Sequence, residues 1–292
     1  MLLLIVVCLF STSFAFTPNF HVLGSSLSRT RLCSFPQYVH RSRRDKLHNS
    51  NKGDSEIDCA GHSSGIVSKT NKPSSATIMA TGTKRGAFIL FEGIDRCGKS
   101  TQCTKLAEYL ASRYTAEKIN FPDRTSSIGQ MINSYLTSAT NLNDQTIHLL
   151  FSANRWEAAK NIETKLSTGC HLVCDRYAYS GVAFSSAKGM DVEWCKSCDK
   201  GLPAPDVIIY LDMPVEDAAK RGQFGEERYE KIEFQLKVRE KFMDLQEADR
   251  GTLNWHTIDA RKTIEEIHAE ISTIAESTIR EVGDKDVSRL WM

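Results

Sequence analysis

Two adjoining stretches decide the fold, Ala87-Phe-Ile-Leu-Phe91 and Gly93-Ile-Asp-Arg-Cys-Gly-Lys-Ser100. The first is a short, wholly apolar run, which is typical of a strand buried on both faces. The second contains two glycines and leads into a segment with apolar residues at helical spacing, which predicts a helix over 100–113. A buried strand, a glycine-containing turn and a helix in this order begin a βαβ unit, so the sequence predicts a parallel sheet.

The same alternation of short apolar runs and amphipathic segments continues to residue 280. Further strands are predicted at 118–121, 171–174, 207–211 and 256–258, and further helices near 127–136, 143–167, 215–221, 229–248 and 263–280. Five short strands separated by helices predict an α/β fold, a doubly wound five-stranded parallel sheet flanked by helices.

The turn after the first strand has the pattern Gly-x-x-x-x-Gly-Lys-Ser of a P-loop. In such a loop backbone N–H groups surround the β-phosphate, while Lys99 reaches the β- and γ-phosphates and the Ser100 hydroxyl ligates Mg²⁺. The sequence therefore predicts a nucleoside triphosphate site. The residues assigned to it in this loop are Gly93, Ile94, Asp95, Arg96, Cys97, Gly98, Lys99, Ser100 and Thr101.

A second polar motif, Asp175-Arg-Tyr177, directly follows the apolar run 171–174. A carboxylate at the carboxyl end of a parallel strand lies in the crevice beside the P-loop, where Asp175 can hold Mg²⁺ through water. Arg176 would then face phosphate. The alternative is a structural ion pair at the strand end, with Arg176 on the surface.

Four further stretches accompany these motifs: Phe121-Pro-Asp-Arg124, His148-Leu-Leu-Phe-Ser-Ala-Asn-Arg-Trp156, Ser180-Gly-Val-Ala-Phe184 and Arg228-Tyr229. With them, the chain from about 86 to 280 resembles the thymidylate kinases, which make dTDP from dTMP. The resemblance implies the P-loop nucleoside monophosphate kinase fold, ATP as phosphoryl donor, dTMP as acceptor, Mg²⁺ as cofactor and a homodimer. The alternatives are a kinase for another nucleoside monophosphate such as dUMP and a nucleotide-binding protein without turnover.

The resemblance also assigns the acceptor side of the site. Arg124 would clamp the dTMP phosphate, for which a guanidinium offers two parallel hydrogen bonds. Phe151 and Arg155 are four residues apart on one helix face, so one can stack on thymine while the other hydrogen-bonds its edge. Phe184 and Tyr229 would form the wall around base and sugar that disfavours a ribose 2′-hydroxyl. The alternative is a solvated Arg124, a surface Arg155 and ordinary core aromatics.

Two charged residues stand inside the P-loop, where small residues are more usual. By resemblance, Asp95 would hold the 3′-hydroxyl of dTMP, and Arg96 would contact the phosphates as an internal arginine finger. The lid, 221–228, carries cations only at its edges, with Arg221 assigned to ATP, and this matches the family branch whose catalytic arginine is in the P-loop. Arg96, Lys99 and Arg176 are thus the predicted catalytic residues, and Arg176 also contacts the acceptor.

Residues 1–79 differ in composition from the rest of the chain, with net charge +5 against −4 for 80–292. Their apolar run of nine residues is far shorter than the ~20 that span a bilayer, and it predicts a signal peptide over about 1–15. The segment 16–44 has no acidic residue before Arg44 and resembles a plastid transit peptide. We therefore predict a plastid leader and linker before the kinase domain, the alternatives being a mitochondrial presequence or a cytosolic product starting at Met79. The acidic domain argues against nucleic acid as a partner, and no stable membrane association is expected.

Overall fold

A computed structural model describes residues 84–222 and 224–292, so the predicted leader over 1–79 lies outside the described residues. Five strands form one sheet in the order β2-β3-β1-β4-β5, and every neighbouring pair is parallel. The strands are β1 (Phe88–Glu92), β2 (Ala116–Asn120), β3 (His171–Asp175), β4 (Val207–Asp212) and β5 (Trp255–Asp259). The predicted α/β fold class is confirmed.

Eight helices occur in the described part of the chain and connect or follow these strands. They are α1 (Lys99–Ala111), α2 (Ser127–Leu136), α3 (Asp144–Ser167), α4 (Ala178–Ser186), α5 (Val192–Ser197), α6 (Val215–Ala219), α7 (Ile232–Ala248) and α8 (Ile264–Val282).

All six predicted helices are confirmed to within three residues at each end, but α4 and α5 were missed. Helix α4 has buried residues around most of its circumference, so it lacks the one-sided apolar period by which a helix is recognised. Helix α5 is only six residues long. Helix α7 begins at Ile232 instead of 229 because Lys231 has an extended backbone and occupies the N-cap position.

The sheet brings the two sequence motifs to one edge. Strands β1 and β3 are buried throughout, and the register pairs Phe91 with Asp175. Because both strands are parallel and end at the same level, the P-loop that follows β1 and the Asp175-Arg-Tyr177 motif meet at the carboxyl edge of the sheet.

Gly93 begins the P-loop with φ +146°, a conformation that side chains rarely allow. A Cβ atom at this position would lie 2.7 Å from the carbonyl oxygen of Leu211 on β4. Glycine is therefore required there, since the loop turns directly against the neighbouring strand.

A small second core lies away from the sheet, beneath α2 and the beginning of α3. It is formed by Ile132, Tyr135, Leu136, Ile147 and Tyr229. This cluster joins the α2–α3 pair to the end of the lid and so holds one side of the site. Within the described ranges, no helix has the length and apolarity needed to cross a bilayer.

Candidate active site

A cavity of about 690 Å³ opens at the carboxyl edge of β1 and β3. It is lined by most of the residues that the sequence singled out: Asp95, Arg96, Gly98, Lys99, Ser100, Thr101, Arg124, Phe151, Arg155, Asp175, Arg176, Phe184, Arg221 and Tyr229. Residues predicted to contact the two nucleotides thus surround one continuous space.

Three predicted residues of the P-loop do not line the cavity, namely Gly93, Ile94 and Cys97. They belong to the loop but face away from the cavity, and they shape the loop from that side. The Lys99 ammonium donates to the Ile94 carbonyl oxygen and lies 3.5 Å from Cys97 Sγ. Ile94 and Cys97 are buried, and through these contacts they hold the nearly buried Lys99 ammonium in place.

Ser100 and Asp175 meet as the metal prediction requires. Ser100 Oγ donates to Asp175 Oδ2 at 2.5 Å, so the P-loop hydroxyl and the carboxylate at the end of β3 share one location. Hydroxyl and carboxylate oxygens are hard ligands that suit Mg²⁺, which uses one or two protein oxygens besides phosphate and water. Among residues 84–222 and 224–292 no cluster of three His, Cys, Asp or Glu side chains could hold a metal unaided. The donors present fit a cation that arrives with a nucleotide.

Arg176 faces the P-loop. Its Nη1 donates to the Gly93 carbonyl oxygen at 3.0 Å and to Ser180 Oγ at 3.1 Å, and its Nη2 pairs with Asp95. Burial lowers the pKa of this guanidinium, but nearby carboxylates, led by Asp95, outweigh burial and raise it. The alternative of a surface Arg176 is wrong.

Arg96 and Arg176 both adopt positive φ angles, 62° and 65°. Such a conformation costs a residue with a Cβ on the order of 1 kcal/mol or more and persists where surrounding contacts enforce it. Two arginines strained in this way beside one cavity indicate that the backbone is shaped to aim their side chains.

Glu230 connects Arg96 to the lid. Arg96 Nε donates to Glu230 Oε1 at 2.6 Å, while Glu230 Oε2 accepts the backbone N–H groups of Gly225, Glu226 and Glu227 at 2.8, 3.0 and 3.3 Å. Burial raises the pKa of this carboxyl, but the hydrogen bonds, first that of Arg96, outweigh burial and lower it. One carboxylate therefore ties the predicted arginine finger to the middle of the lid.

Two further arginines connect the lid to the rest of the site: Arg124 contacts it from outside, and Arg221 is its first residue. Arg124 is bound on both sides, by Asn133 Oδ1 at 2.8 Å and by Glu227 Oε1 at 2.7 Å. Arg221 donates to the carbonyl oxygens of Arg96 at 3.2 Å and Ala260 at 3.0 Å. Arg124 is half exposed and can exchange its carboxylate partner for a phosphate, since both groups can accept two parallel hydrogen bonds from a guanidinium.

Arg155 is almost completely buried, with 2% of its side chain exposed. Its Nε and Nη2 donate to the two oxygens of Asp199 at 3.0 and 2.6 Å. The guanidinium also lies against Gly181, where an added Cβ would come within 2.7 Å of Nη2. Since Arg155 borders the cavity and its Nη1 makes no hydrogen bond to residues 84–222 or 224–292, this nitrogen can donate to a ligand. The alternative of a surface Arg155 is wrong.

Aromatic rings form one wall of the cavity. Phe184 and Tyr229 have ring centroids 5.6 Å apart, and Tyr229 stacks on Phe234 at 5.3 Å. Phe151 lines the same cavity and packs against the second core. A flat nucleobase and a deoxyribose fit such a wall because aromatic faces stack on bases and exclude water.

Sequence reasoning missed two polar residues that hold the site together. Glu92 ends β1, is fully buried and accepts the backbone N–H groups of Tyr177 and Ser180 at 2.9 and 3.0 Å, which caps α4. Burial raises the pKa of this carboxyl. Gln235, also buried, accepts from the Asp95 backbone at 2.9 Å and donates to Asp95 Oδ2 at 2.6 Å. An acidic residue at the end of an apolar strand was a usable signal for Glu92, whereas nothing local marked Gln235.

Comparisons with known proteins agree with this geometry. A sequence model described as thymidylate kinase matches residues 91–271. The thymidylate kinase of Dictyostelium discoideum is 49% identical over 212 residues, covering 72% of this chain and 94% of that protein. The Homo sapiens thymidylate kinase is 48% identical over 210 residues, covering 71% of this chain and 98% of that protein.

A solved structure agrees as well. The thymidylate kinase of Candida albicans superposes with a TM-score of 0.64 at 36% identity, covering 71% of this chain and 99% of that one. The matched part of the chain contains the P-loop, the Asp175-Arg-Tyr177 motif and the lid. The chain belongs to the thymidylate kinase family.

Proposed function

We propose that the protein transfers the γ-phosphoryl group of ATP to dTMP, giving ADP and dTDP. The observation that carries the proposal is the single cavity that joins a P-loop to an acceptor side built from Arg124, Phe151 and Arg155. Phosphoryl transfer needs two anionic substrates in line, with cations around the group in flight, and this cavity offers both halves together.

The chain's own residues act by position and charge. Lys99 and the P-loop N–H groups hold the donor phosphates, and Arg124 holds the acceptor phosphate. Arg96 and Arg176 approach from the P-loop and from the end of β3, where they neutralise charge on the phosphoryl group as it moves between the oxygens. No covalent intermediate is needed because the acceptor oxygen attacks directly.

Ser100 and Asp175 would hold Mg²⁺, Asp175 through water. Bound there, the ion would supply charge neutralisation to the donor phosphates. Asp95 lines the cavity, and its carboxylate is held there by Arg176 and Gln235; its role in the proposal is to bind the 3′-hydroxyl of the acceptor.

Recognition of the base rests on two residues of α3. Phe151 offers a ring on which the base stacks, and Arg155 offers Nη1 as a donor to a carbonyl oxygen on the base edge. Because Asp199 fixes the guanidinium plane, the donor is already oriented before the nucleotide binds. Thymine and uracil both present such a carbonyl oxygen. The protein would therefore distinguish dTMP from dUMP by how well the thymine methyl group packs in the cavity.

The test is turnover of Mg-ATP with dTMP, dUMP, dCMP and dGMP, with Lys99→Met as a control for contaminating kinases. We expect the highest kcat/KM with dTMP and loss of activity in Lys99→Met. A higher kcat/KM with dUMP would establish the alternative kinase. Binding of ATP and dTMP without turnover in the unchanged protein would establish a nucleotide-binding protein without catalysis.

A homodimer is part of the proposal, through a face of α2 and α3. Met131, Leu149 and Trp156 are large apolar side chains that are exposed on these helices, and Leu149 and Trp156 are seven residues apart and so share one face of α3. Light scattering on the purified protein should give twice the chain mass. Leu149→Lys should convert it to a monomer, and an unchanged mass would exclude this face.

Plastid targeting by residues 1–44 is the remaining part of the proposal. Its support is the order of an apolar run, a small-residue junction and a basic, acid-free segment. A fluorescent tag on the full chain should reach the plastid, whereas a chain started at Met79 should remain cytosolic and retain full activity. Mitochondrial fluorescence would establish the alternative presequence, and lost activity after truncation would contradict a purely targeting role.

A further inference from the structure

A lysine that is outside the cavity lining contacts the aromatic wall from behind. Lys188 follows α4, and its ammonium donates to the Tyr229 hydroxyl at 2.9 Å and to Asp144 Oδ1 at 2.9 Å. The Tyr135 hydroxyl is 3.4 Å away. One side chain thus joins the loop after α4 to the end of α2, the beginning of α3 and the residue that follows the lid.

Of the residues joined by Lys188, only Tyr229 lines the cavity. Its ring packs against both Phe184 and Phe234, whose rings also contact each other at 6.0 Å, so the three rings fix its plane. These ring contacts leave the phenol able to slide within the plane of its ring. The hydrogen bond from Lys188 does, because it holds the hydroxyl end at a fixed distance from a part-buried ammonium.

The charges around the ammonium favour this geometry. Only 13% of the Lys188 side chain is exposed, and Asp144 supplies the counter-charge. Burial raises the pKa of the Tyr229 phenol, so the hydroxyl stays protonated and its oxygen accepts from Lys188. Asp144 is 45% exposed, so it remains solvated if the lysine is replaced and no buried charge is left unpaired.

We infer that Lys188 is a positioning residue that holds the Tyr229 phenol in place in the cavity wall, beside the sugar of the acceptor nucleotide, and so sets the discrimination against a 2′-hydroxyl. The inference rests on the proposed function, in which Tyr229 borders the sugar. A ring that can move makes room for one more oxygen, whereas a ring whose hydroxyl is held by the ammonium does not. Lys188 thereby acts through Tyr229 and touches neither substrate.

The experiment compares kcat/KM for dTMP with kcat/KM for ribothymidine 5′-monophosphate in the full chain. Lys188→Met should lower this ratio about fivefold, the expected effect of one lost hydrogen bond, with KM for ATP unchanged. Lys188→Arg should restore the ratio because its guanidinium can still donate to both partners. The matched control is Lys196→Met, since Lys196 is also ion-paired and 15% exposed but lies on α5, outside the cavity lining.

A second comparison removes the acceptor instead of the donor. Tyr229→Phe keeps the ring and should lower the ratio to a similar extent, and adding Lys188→Met to it should change the ratio no further. A further large drop in the double variant would overturn the inference. An unchanged ratio in Lys188→Met, with both nucleotides used less well, would also overturn it by making the lysine a structural support alone.

Turnover of dTMP by the unchanged protein separates failure of the proposed function from failure of the inference about Lys188. If the unchanged protein does not phosphorylate dTMP, the proposed function is wrong and this inference falls with it. If it phosphorylates dTMP but Lys188→Met and Lys196→Met have equal ratios, only the inference is wrong.

Discussion

Arg155 and Asp199 form a two-pronged ion pair that is closed off from water, with Nε and Nη2 at 3.0 and 2.6 Å from the carboxylate oxygens and side-chain exposures of 2% and 0%. A residue expected to read the base is therefore also a structural element. Its loss would affect both folding and recognition, and two different substitutions separate these effects.

Replacement of Arg155 by alanine leaves the Asp199 carboxylate buried without a partner. We expect Arg155→Ala to lower the free energy of unfolding by about 3–5 kcal/mol, measured by urea denaturation. The double variant Arg155→Ala with Asp199→Ala removes the stranded charge and should recover part of that loss. A single-variant loss below about 1 kcal/mol would mean that Asp199 finds other partners.

Arg155→Lys isolates recognition, because an ammonium can still neutralise Asp199 but lacks the third donor of the planar fork. KM for dTMP should rise by the equivalent of about 1–3 kcal/mol while KM for ATP stays nearly constant. Steady-state kinetics with each substrate varied in turn makes the measurement. An equal rise in both KM values would contradict a base-reading role.

Arg96 should matter chiefly in the transition state. Arginine fingers contribute roughly 10³–10⁵ to turnover, so Arg96→Ala should reduce kcat by about 10³ or more with little change in KM for ATP. Arg96→Lys should recover only part of the rate, since an ammonium cannot bridge two phosphate oxygens. Single-turnover measurement of the chemical step decides, and a loss of less than about tenfold would mean that Arg96 does not act as an arginine finger.

Glu230 should position both the lid and the Arg96 side chain. Glu230→Gln keeps a polar acceptor but removes the charge that attracts Arg96 and the three lid N–H groups. We expect lower kcat and faster tryptic cleavage after Arg221 or Arg228 at the edges of the lid, by roughly tenfold, which corresponds to about 1.4 kcal/mol of lost closure. Glu226→Gln, a neighbouring lid carboxylate, is the control. Identical cleavage rates in Glu230→Gln and Glu226→Gln would show that Glu230 does not hold the lid in position.

His171 should make stability fall in mild acid. The Ala87 N–H donates to His171 Nδ1 at 2.9 Å, so this nitrogen must be unprotonated, and burial lowers the pKa of the imidazole. Below about pH 6.5 the unfolded chain binds a proton that the native chain does not, so the free energy of unfolding decreases as pH falls from there toward the native pKa.

The comparison variant is His171→Asn, whose amide oxygen can accept from Ala87 without titrating. Melting temperatures at pH 7.5 and 5.5 make the measurement. The decrease in Tm should be larger in the unchanged protein than in His171→Asn. Equal decreases would show that other groups, and not His171, account for the acid sensitivity.

Much of the site was predictable because its determinants are local. The P-loop is encoded by a strand, a turn and a helix start within about fifteen consecutive residues, and the carboxyl ends of parallel strands meet at one edge wherever the strands lie in sequence. These two rules were enough to place Lys99, Ser100 and Asp175 together. The aromatic and arginine residues of the acceptor side came from resemblance, and their types already fit a base and a phosphate.

The sequence by itself thus determined the sheet, the P-loop and the chemical types around the cavity. Only the tertiary structure decided the partner of each charge, since Arg155 pairs with a residue 44 positions away, Arg96 with one 134 away and Asp95 with one 140 away. Hydrophobic periodicity describes which face of an element is buried but not which distant polar group lies opposite it. Those pairings exist because folding removes water from around the charges, and each buried charge must then find its counter-charge wherever the packed elements place it.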